Sequence, residues 1–102
     1  MRPFRNLKIA SVIEYELGRI LVRDFAVGGA LVTITAVEVS TDLLQATVRL
    51  GIIPYVKGPE VFAAVSERRG EFQHQLLKKM NIRPMPQIRF LLDEPKIEET
   101  AT

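Results

Sequence analysis

The fold is decided by residues 61–80, which spell VFAAVSERRGEFQHQLLKKM. Apolar residues recur at helical spacing on both sides of this segment, but residues 66–70 (SERRG) interrupt the pattern in the middle. A glycine inside a helix costs roughly 1 kcal/mol relative to alanine. The segment therefore predicts a helix that bends at Gly70, where two arginines stand beside backbone that a partner can approach.

Two β-branched runs precede this bent helix. Residues 31–40 and 44–53 are rich in valine, isoleucine and threonine and are separated by a short turn, so they predict an antiparallel hairpin. In the first run, Val32 and Val39 have opposite parity. Either both faces of that strand are partly covered, or a bulge near Ala36 resets the register.

The flanking segments complete the set of elements. Residues 6–25 predict an amphipathic first helix, because apolar side chains recur every three or four residues, and Gly28-Gly29 ends it. Pro84 and Pro86 end the bent helix. Residues 88–92 then alternate as a third strand.

This order predicts an α+β fold in one domain. The bent helix is long enough to serve as the crossover that a parallel strand requires, so the third strand joins the hairpin in a three-stranded mixed sheet with helices on one face. We expect the domain to cover residues 1–93 and a flexible acidic tail to occupy residues 94–102.

Composition narrows the class of protein. The chain has 102 residues, 47% of them hydrophobic, which suffices for a core without disulfides. The absence of cysteine fits a reducing compartment, and the cytoplasm is the expected location. No stretch resembles a signal peptide or a membrane span.

Charge is distributed unevenly along the chain. The net charge is +2, but the last ten residues are acidic, so residues 1–92 are more basic than the total suggests. Within residues 68–89 there are six basic residues and one acidic residue, Glu71, which is the footprint of a polyanion binder. The candidate contacts with such a polyanion are Arg5, Lys8, Arg68, Arg69, Gly70, Lys78, Lys79 and Arg83.

Structural alternatives exist for the same residues. Gly70 could end one helix before another begins, and Arg68 and Arg69 could pair with Glu67 or Glu71. Lysines near a helix C-terminus are favoured by the backbone dipole whatever the protein does. The phenylalanines fall on apolar stripes, so core packing is favoured over base stacking.

The sequence does not predict an enzyme. His74 is the only histidine and cysteine is absent, which excludes the usual nucleophile–base pairs and metal clusters. Glu14 and Glu16 are two residues apart on a helix and point apart. Gly28-Gly29-Ala30 lacks the lysine of a phosphate loop and the third glycine of a dinucleotide fingerprint. We expect no metal and no cofactor.

Ordered stretches across residues 6–93 carry a family resemblance. In the hairpin they are Val32-Thr33-Ile34-Thr35, Val37-Glu38-Val39-Ser40, Asp42-Leu43 and Ala46-Thr47-Val48, and later positions are Gly70, Leu76, Met80, Pro86, Phe90 and Asp93. Together they resemble the bacterial ribosome-binding factor A family, which has a KH-like fold of type II. Two departures stand out: Arg68 lies where members usually have alanine, and residues 26–30 replace an Asp-Pro-Arg-like segment.

The resemblance implies a cytoplasmic assembly factor that binds the 30S ribosomal subunit through 16S rRNA during late maturation. Members are associated with processing of the 5′ end of that RNA and with growth in the cold. The chain lacks a full Gly-x-x-Gly loop, so we expect recognition of shape and phosphate by a monomer. The competing hypothesis is a protein-interaction or homodimerisation module, in which strand 44–53 pairs as an edge with another chain.

Overall fold

The chain folds in the order helix, strand, strand, helix, helix, strand. The computed structural model describes residues 5–25 and 29–93. The elements are α1 (Arg5–Phe25), β1 (Leu31–Val39), β2 (Gln45–Ile53), a 3-10 turn (Tyr55–Lys57), α2 (Gly58–Glu67), α3 (Arg69–Met80) and β3 (Gln87–Leu92). The first helix and all three strands are confirmed to within one residue at each end. The predicted acidic tail lies outside the described residues.

The first helix buries one apolar face. Its buried side chains are Ile9, Ala10, Ile13, Leu17, Ile20 and Leu21. Helical spacing directs Arg19 and Arg23 away from this face, and both are exposed. Of the predicted glycine turn after α1, Gly28 lies outside the described residues. Gly29 has a φ of 75°, a left-handed backbone that glycine adopts without steric cost.

The hairpin contains the bulge that the sequence allowed. Ile34 pairs with Leu50 and Ala36 pairs with Arg49, so Thr35 is the extra residue on β1. The shift resets the side-chain parity of the strand. As a result Val32 and Val39 are both buried on the helix-covered face, although their sequence positions differ in parity.

Hydrogen bonds to one carboxylate fix the hairpin turn. The Ser40 hydroxyl donates to Asp42 Oδ1 at 2.6 Å, and the Leu44 backbone N–H donates to the same oxygen at 3.0 Å. Both bonds stabilise the charged carboxylate, so they lower the pKa of Asp42 from its ordinary value. Leu43 takes a left-handed φ of 66° in this turn.

The sheet is mixed and has β2 in its centre. β1 pairs antiparallel with β2, and β3 pairs parallel with it, in the order β1-β2-β3. The predicted three-stranded mixed sheet is therefore confirmed. The expectation that residues 44–53 form an edge strand is wrong, because both sides of β2 already carry hydrogen-bonded neighbours. In the described part of the chain the edges are β1 and β3.

The crossover from β2 to β3 is a broken helix. α2 ends at Glu67, Arg68 leaves the helical region with φ −101° and ψ 16°, and α3 begins at Arg69. The predicted bend is confirmed, but its placement at Gly70 is wrong. Val65 of α2 and Phe72 of α3 are both fully buried, and packing of each half outweighs the propensity of a single glycine.

The helices cover one face of the sheet and form the core with it. Phe72 of α3 is fully buried, and its ring meets the ring of Phe90 on β3 edge-on, with centroids 6.2 Å apart. Burial of such a side chain contributes about 1.5–3 kcal/mol. The expectation that these aromatic rings pack in the core is confirmed for both, and Phe62 is half-buried and packs against the same core.

Candidate nucleic-acid interface

The helix break positions Arg68 within the fold. Its guanidinium makes two hydrogen bonds to the Glu71 carboxylate, from Nε to Oε1 at 2.9 Å and from Nη2 to Oε2 at 2.8 Å. The same group lies over the ring of Phe72, 5.1 Å from its centroid. The alternative in which this arginine pairs with Glu71 is therefore confirmed. Arg68 closes the first turn of α3 over a buried aromatic ring.

Arg69 ties α3 to the start of β3. Its Nη1 donates to the Ile88 carbonyl oxygen at 3.4 Å. Gln73, one turn later, donates to the Pro86 carbonyl at 2.8 Å and accepts from the Ile88 N–H at 2.7 Å. Arg69 thus pairs with neither Glu67 nor Glu71, and it acts together with Gln73 on the backbone that leads into the parallel strand.

Gly70 presents bare backbone at the first turn of α3. It is exposed, and a Cβ placed on it would meet no atom within 4 Å. Its φ is not left-handed, so the helix does not need glycine here for conformational reasons. The open space leaves the α3 backbone accessible to a partner.

The other basic residues predicted to contact RNA in this region are exposed. Lys78 and Lys79 lie in the last turn of α3, and Arg83 lies in the segment that leads to β3. Within the described residues none of the three forms an ion pair. Arg69 and Lys79 are ten positions apart along the helix, a distance of about 15 Å at 1.5 Å per residue. The structure therefore divides the basic cluster of the sequence into two groups along α3.

Arg5 and Lys8 lie at the start of α1. The Asn6 side chain donates to the Val39 carbonyl at 3.1 Å, which fixes this end of the helix beside the end of β1. Val39 pairs with Ala46, and Ala46 pairs with Ile88, the residue held by Arg69. The helix break and the start of α1 therefore attach to the same end of the sheet, two strand spacings or about 10 Å apart.

The structure adds two arginines that sequence reasoning missed. A cleft of about 180 Å³ between α1 and α3 is lined by Glu16, Arg19, Ile20, Arg23 and Lys79. Arg19 lies over the ring of Tyr15, 5.7 Å from its centroid, and Arg23 Nη2 donates to Gln75 Oε1 at 3.5 Å. The sequence contained one indication of these arginines. Tyr15, Arg19 and Arg23 follow one another at intervals of four residues, on the side of α1 away from its apolar face.

Other kinds of site find no support in this part of the chain. Among residues 5–25 and 29–93, no three histidine, aspartate or glutamate side chains are grouped closely enough to hold a metal ion. None of the helices described there combines the length and apolar character needed to span a bilayer.

Comparison with known proteins decides the family. A family model described as ribosome-binding factor A matches residues 5–101. This chain belongs to that family. A ribosome-binding factor A from Bordetella avium is 34% identical over 98 residues, which cover 94% of this chain and 72% of that protein. One from Akkermansia muciniphila is 29% identical over 90 residues, which cover 88% of this chain and 72% of that protein.

Two structures described as ribosome-binding factor A proteins share the fold. A solution NMR structure from Thermotoga maritima aligns over all of this chain and 99% of that one, with a TM-score of 0.60 and 22% identity. A homology model of Thermus thermophilus ribosome binding factor A, fitted into a cryo-EM map of its complex with the 30S subunit, aligns over 78% of this chain and 90% of that one, with a TM-score of 0.59 and 24% identity. Both likenesses confirm the predicted architecture.

Proposed function

We propose that this ribosome-binding factor A family member binds the 30S ribosomal subunit through 16S rRNA in the cytoplasm and assists late maturation, including processing of the 5′ end of that RNA. Family membership supports the partner, and a Thermus relative has been placed in a complex with that subunit. The structural observation that carries the proposal is a set of exposed basic side chains that have no carboxylate partner among the described residues. They are Arg5, Lys8, Lys78, Lys79 and Arg83.

Binding of phosphates by these side chains explains how affinity is gained. Lysine and arginine that neutralise phosphates release counterions, so affinity falls steeply as salt rises. Gly70 adds an approach path, because the sugar-phosphate backbone can come close to the first turn of α3 where no side chain intervenes. No reaction on the RNA is required of the protein in this scheme.

The arginines of the break take a different part in the proposal. The Arg68–Glu71 pair is partly solvated, with side chains 35% and 51% exposed, and such pairs are worth about 0–1 kcal/mol. A phosphate can therefore compete with Glu71 for Arg68. Arg69 is held on the Ile88 carbonyl, so it contributes positive potential near the break while it positions α3 on β3.

Binding to purified 30S subunits at increasing salt tests the proposal. We expect the wild-type monomer to co-sediment with 30S subunits at low salt and to be released as salt rises. The double variant Lys78→Gln with Arg83→Gln should bind more weakly, and its salt slope should be smaller by about 1 for each phosphate that is no longer neutralised. A dimer that ignores both salt and 30S subunits would overturn the proposal.

The maturation step is tested in cells. Loss of the protein should raise the fraction of 16S rRNA with an unprocessed 5′ end, more strongly in the cold, as measured by primer extension. Restored wild-type protein should reverse the defect, and the double variant should reverse it incompletely. Normal 5′ ends without the protein would limit the proposal to subunit binding.

A further inference from the structure

We infer that the cleft between α1 and α3, lined by Arg19, Arg23 and Lys79, is a second phosphate-binding site for the same RNA. The inference rests on the proposed function and deepens it. The sequence predicts an RNA-binding surface around the helix break. The cleft extends that surface to Arg19 and Arg23 on α1, which the sequence did not indicate as RNA contacts.

Two packed helices hold the cleft in shape. On α1, Leu17 is fully buried and Ile20 is 4% exposed, so the helix is anchored beneath the cleft. On α3, Leu76 is fully buried one turn before Lys79. The cationic side chains therefore project from rigid elements, and little backbone ordering is needed when an anion binds.

Two cationic side chains of the cleft, Arg19 and Lys79, are not neutralised by a carboxylate of the described residues. Three cationic side chains and one carboxylate, Glu16, line the cleft. In the described part of the chain, Glu16, Arg19 and Lys79 form no ion pair. A phosphate bound between the helices pairs with both Arg19 and Lys79.

The arginines suit phosphate in geometry as well as charge. A guanidinium presents donors in a planar fork that matches two phosphate oxygens at once. The hydrogen bond from Arg23 to Gln75 holds one fork at the α1–α3 junction. Lys79 supplies a flexible point charge from the opposite wall.

An aromatic side chain in contact with Arg19, which itself lines the cleft, favours RNA over a small anion. Tyr15 is 63% exposed and lies under the guanidinium of Arg19. Exposed rings next to arginine are the platforms on which unpaired bases stack. A free phosphate ion has no use for such a ring, whereas a nucleotide of a structured RNA engages the ring and the cationic side chains together.

The test compares two double variants that remove the same charge. Arg19→Gln with Lys79→Gln removes two cations from the cleft. The control, Arg49→Gln with Arg89→Gln, removes two arginines whose neighbours Val48, Leu50, Ile88 and Phe90 are buried on the helix-covered face, so the control changes the other face of the sheet. Both are assayed by binding to purified 30S subunits over a salt series, with urea unfolding to verify the fold.

We expect the affinity of the cleft variant to fall about tenfold and its salt slope to be smaller by about 2, whereas the control stays near wild type. Wild-type affinity and slope in the cleft variant would overturn the second site and leave the proposed function standing. Equal decreases in both variants would also overturn it, because net charge alone would then explain them. Wild-type protein that fails to bind 30S subunits would instead refute the proposed function itself.

Discussion

The two ends of α3 use basic side chains in opposite ways. At its start, Arg68 is bound to Glu71 and covers Phe72, and Arg69 is bound to the backbone of β3. At its end, Lys79 faces Arg19 across a cleft, and neither forms an ion pair among the described residues. Adjacent charges in a sequence thus divide into those that maintain the fold and those that remain available to a partner.

The two ends of α3 differ because their backbone groups and neighbouring side chains need different partners. The start of α3 lacks a side-chain hydrogen bond to its free backbone N–H groups, and it covers a buried ring at the point where the chain changes direction. Arg68 stabilises that corner through its planar guanidinium, which pairs with Glu71 and lies over the ring of Phe72. The end of α3 is already capped by backbone, since left-handed Asn81 donates its N–H to the Leu77 carbonyl. Its lysines interact favourably with the helix dipole but form no ion pair among the described residues, so they remain available to a partner.

The largest effect is expected where the break meets the core. Phe72→Ala removes a fully buried ring that packs on Phe90 and lies beneath Arg68. We expect the free energy of unfolding to fall by about 3–5 kcal/mol, because a cavity replaces the ring. Urea denaturation followed by circular dichroism measures it.

A matched substitution in the same helix calibrates this decrease. Leu77 is 40% exposed, so Leu77→Ala should cost about 1 kcal/mol or less. If both variants were destabilised by the same small amount, Phe72 would not be the residue that joins the break to the sheet, and the contrast between the two ends of α3 would have no structural basis.

The elements could be predicted from the sequence because their patterns are local. Helical spacing over 6–25, β-branched runs and the parity change that allowed a bulge each involve neighbours in the chain. The position of the break could not be predicted. The low helix propensity of glycine indicated Gly70, whereas packing of the two helix halves placed the break at Arg68. Nor could the cleft, because it depends on α1 meeting α3: Arg23 and Gln75 are 52 residues apart.

At Gly70 we expect one substitution to have two moderate effects, a gain in stability and a loss of affinity for 30S subunits. Gly70→Ala should raise the free energy of unfolding by about 0.4–1 kcal/mol, because the residue is helical and its Cβ has open space. If RNA approaches this backbone, the same change should weaken 30S binding. Thermal unfolding and co-sedimentation on one preparation separate the two. Greater stability with unchanged binding would remove Gly70 from the interface.

The smallest effect is expected for Glu71→Gln. This variant tests whether Arg68, which is paired at the start of α3, can bind RNA once its carboxylate partner is removed. Glu71→Gln weakens the hold on Arg68, and an exposed pair of this kind is worth about 1 kcal/mol at most. Stability should fall by no more than that. Affinity for 30S subunits should rise by up to about fivefold, the same energy expressed as binding, if Arg68 moves to a phosphate.

Glu67→Gln is the matched control for this substitution. Glu67 is exposed, precedes the break and forms no ion pair within the described residues, so its change alters net charge equally without releasing Arg68. A rise in affinity confined to Glu71→Gln would mean that Arg68 is shared between fold and RNA. An equal rise in both variants would reflect charge alone. Arg68 would then belong wholly to the fold, and the available cations at the other end of α3 would carry the binding.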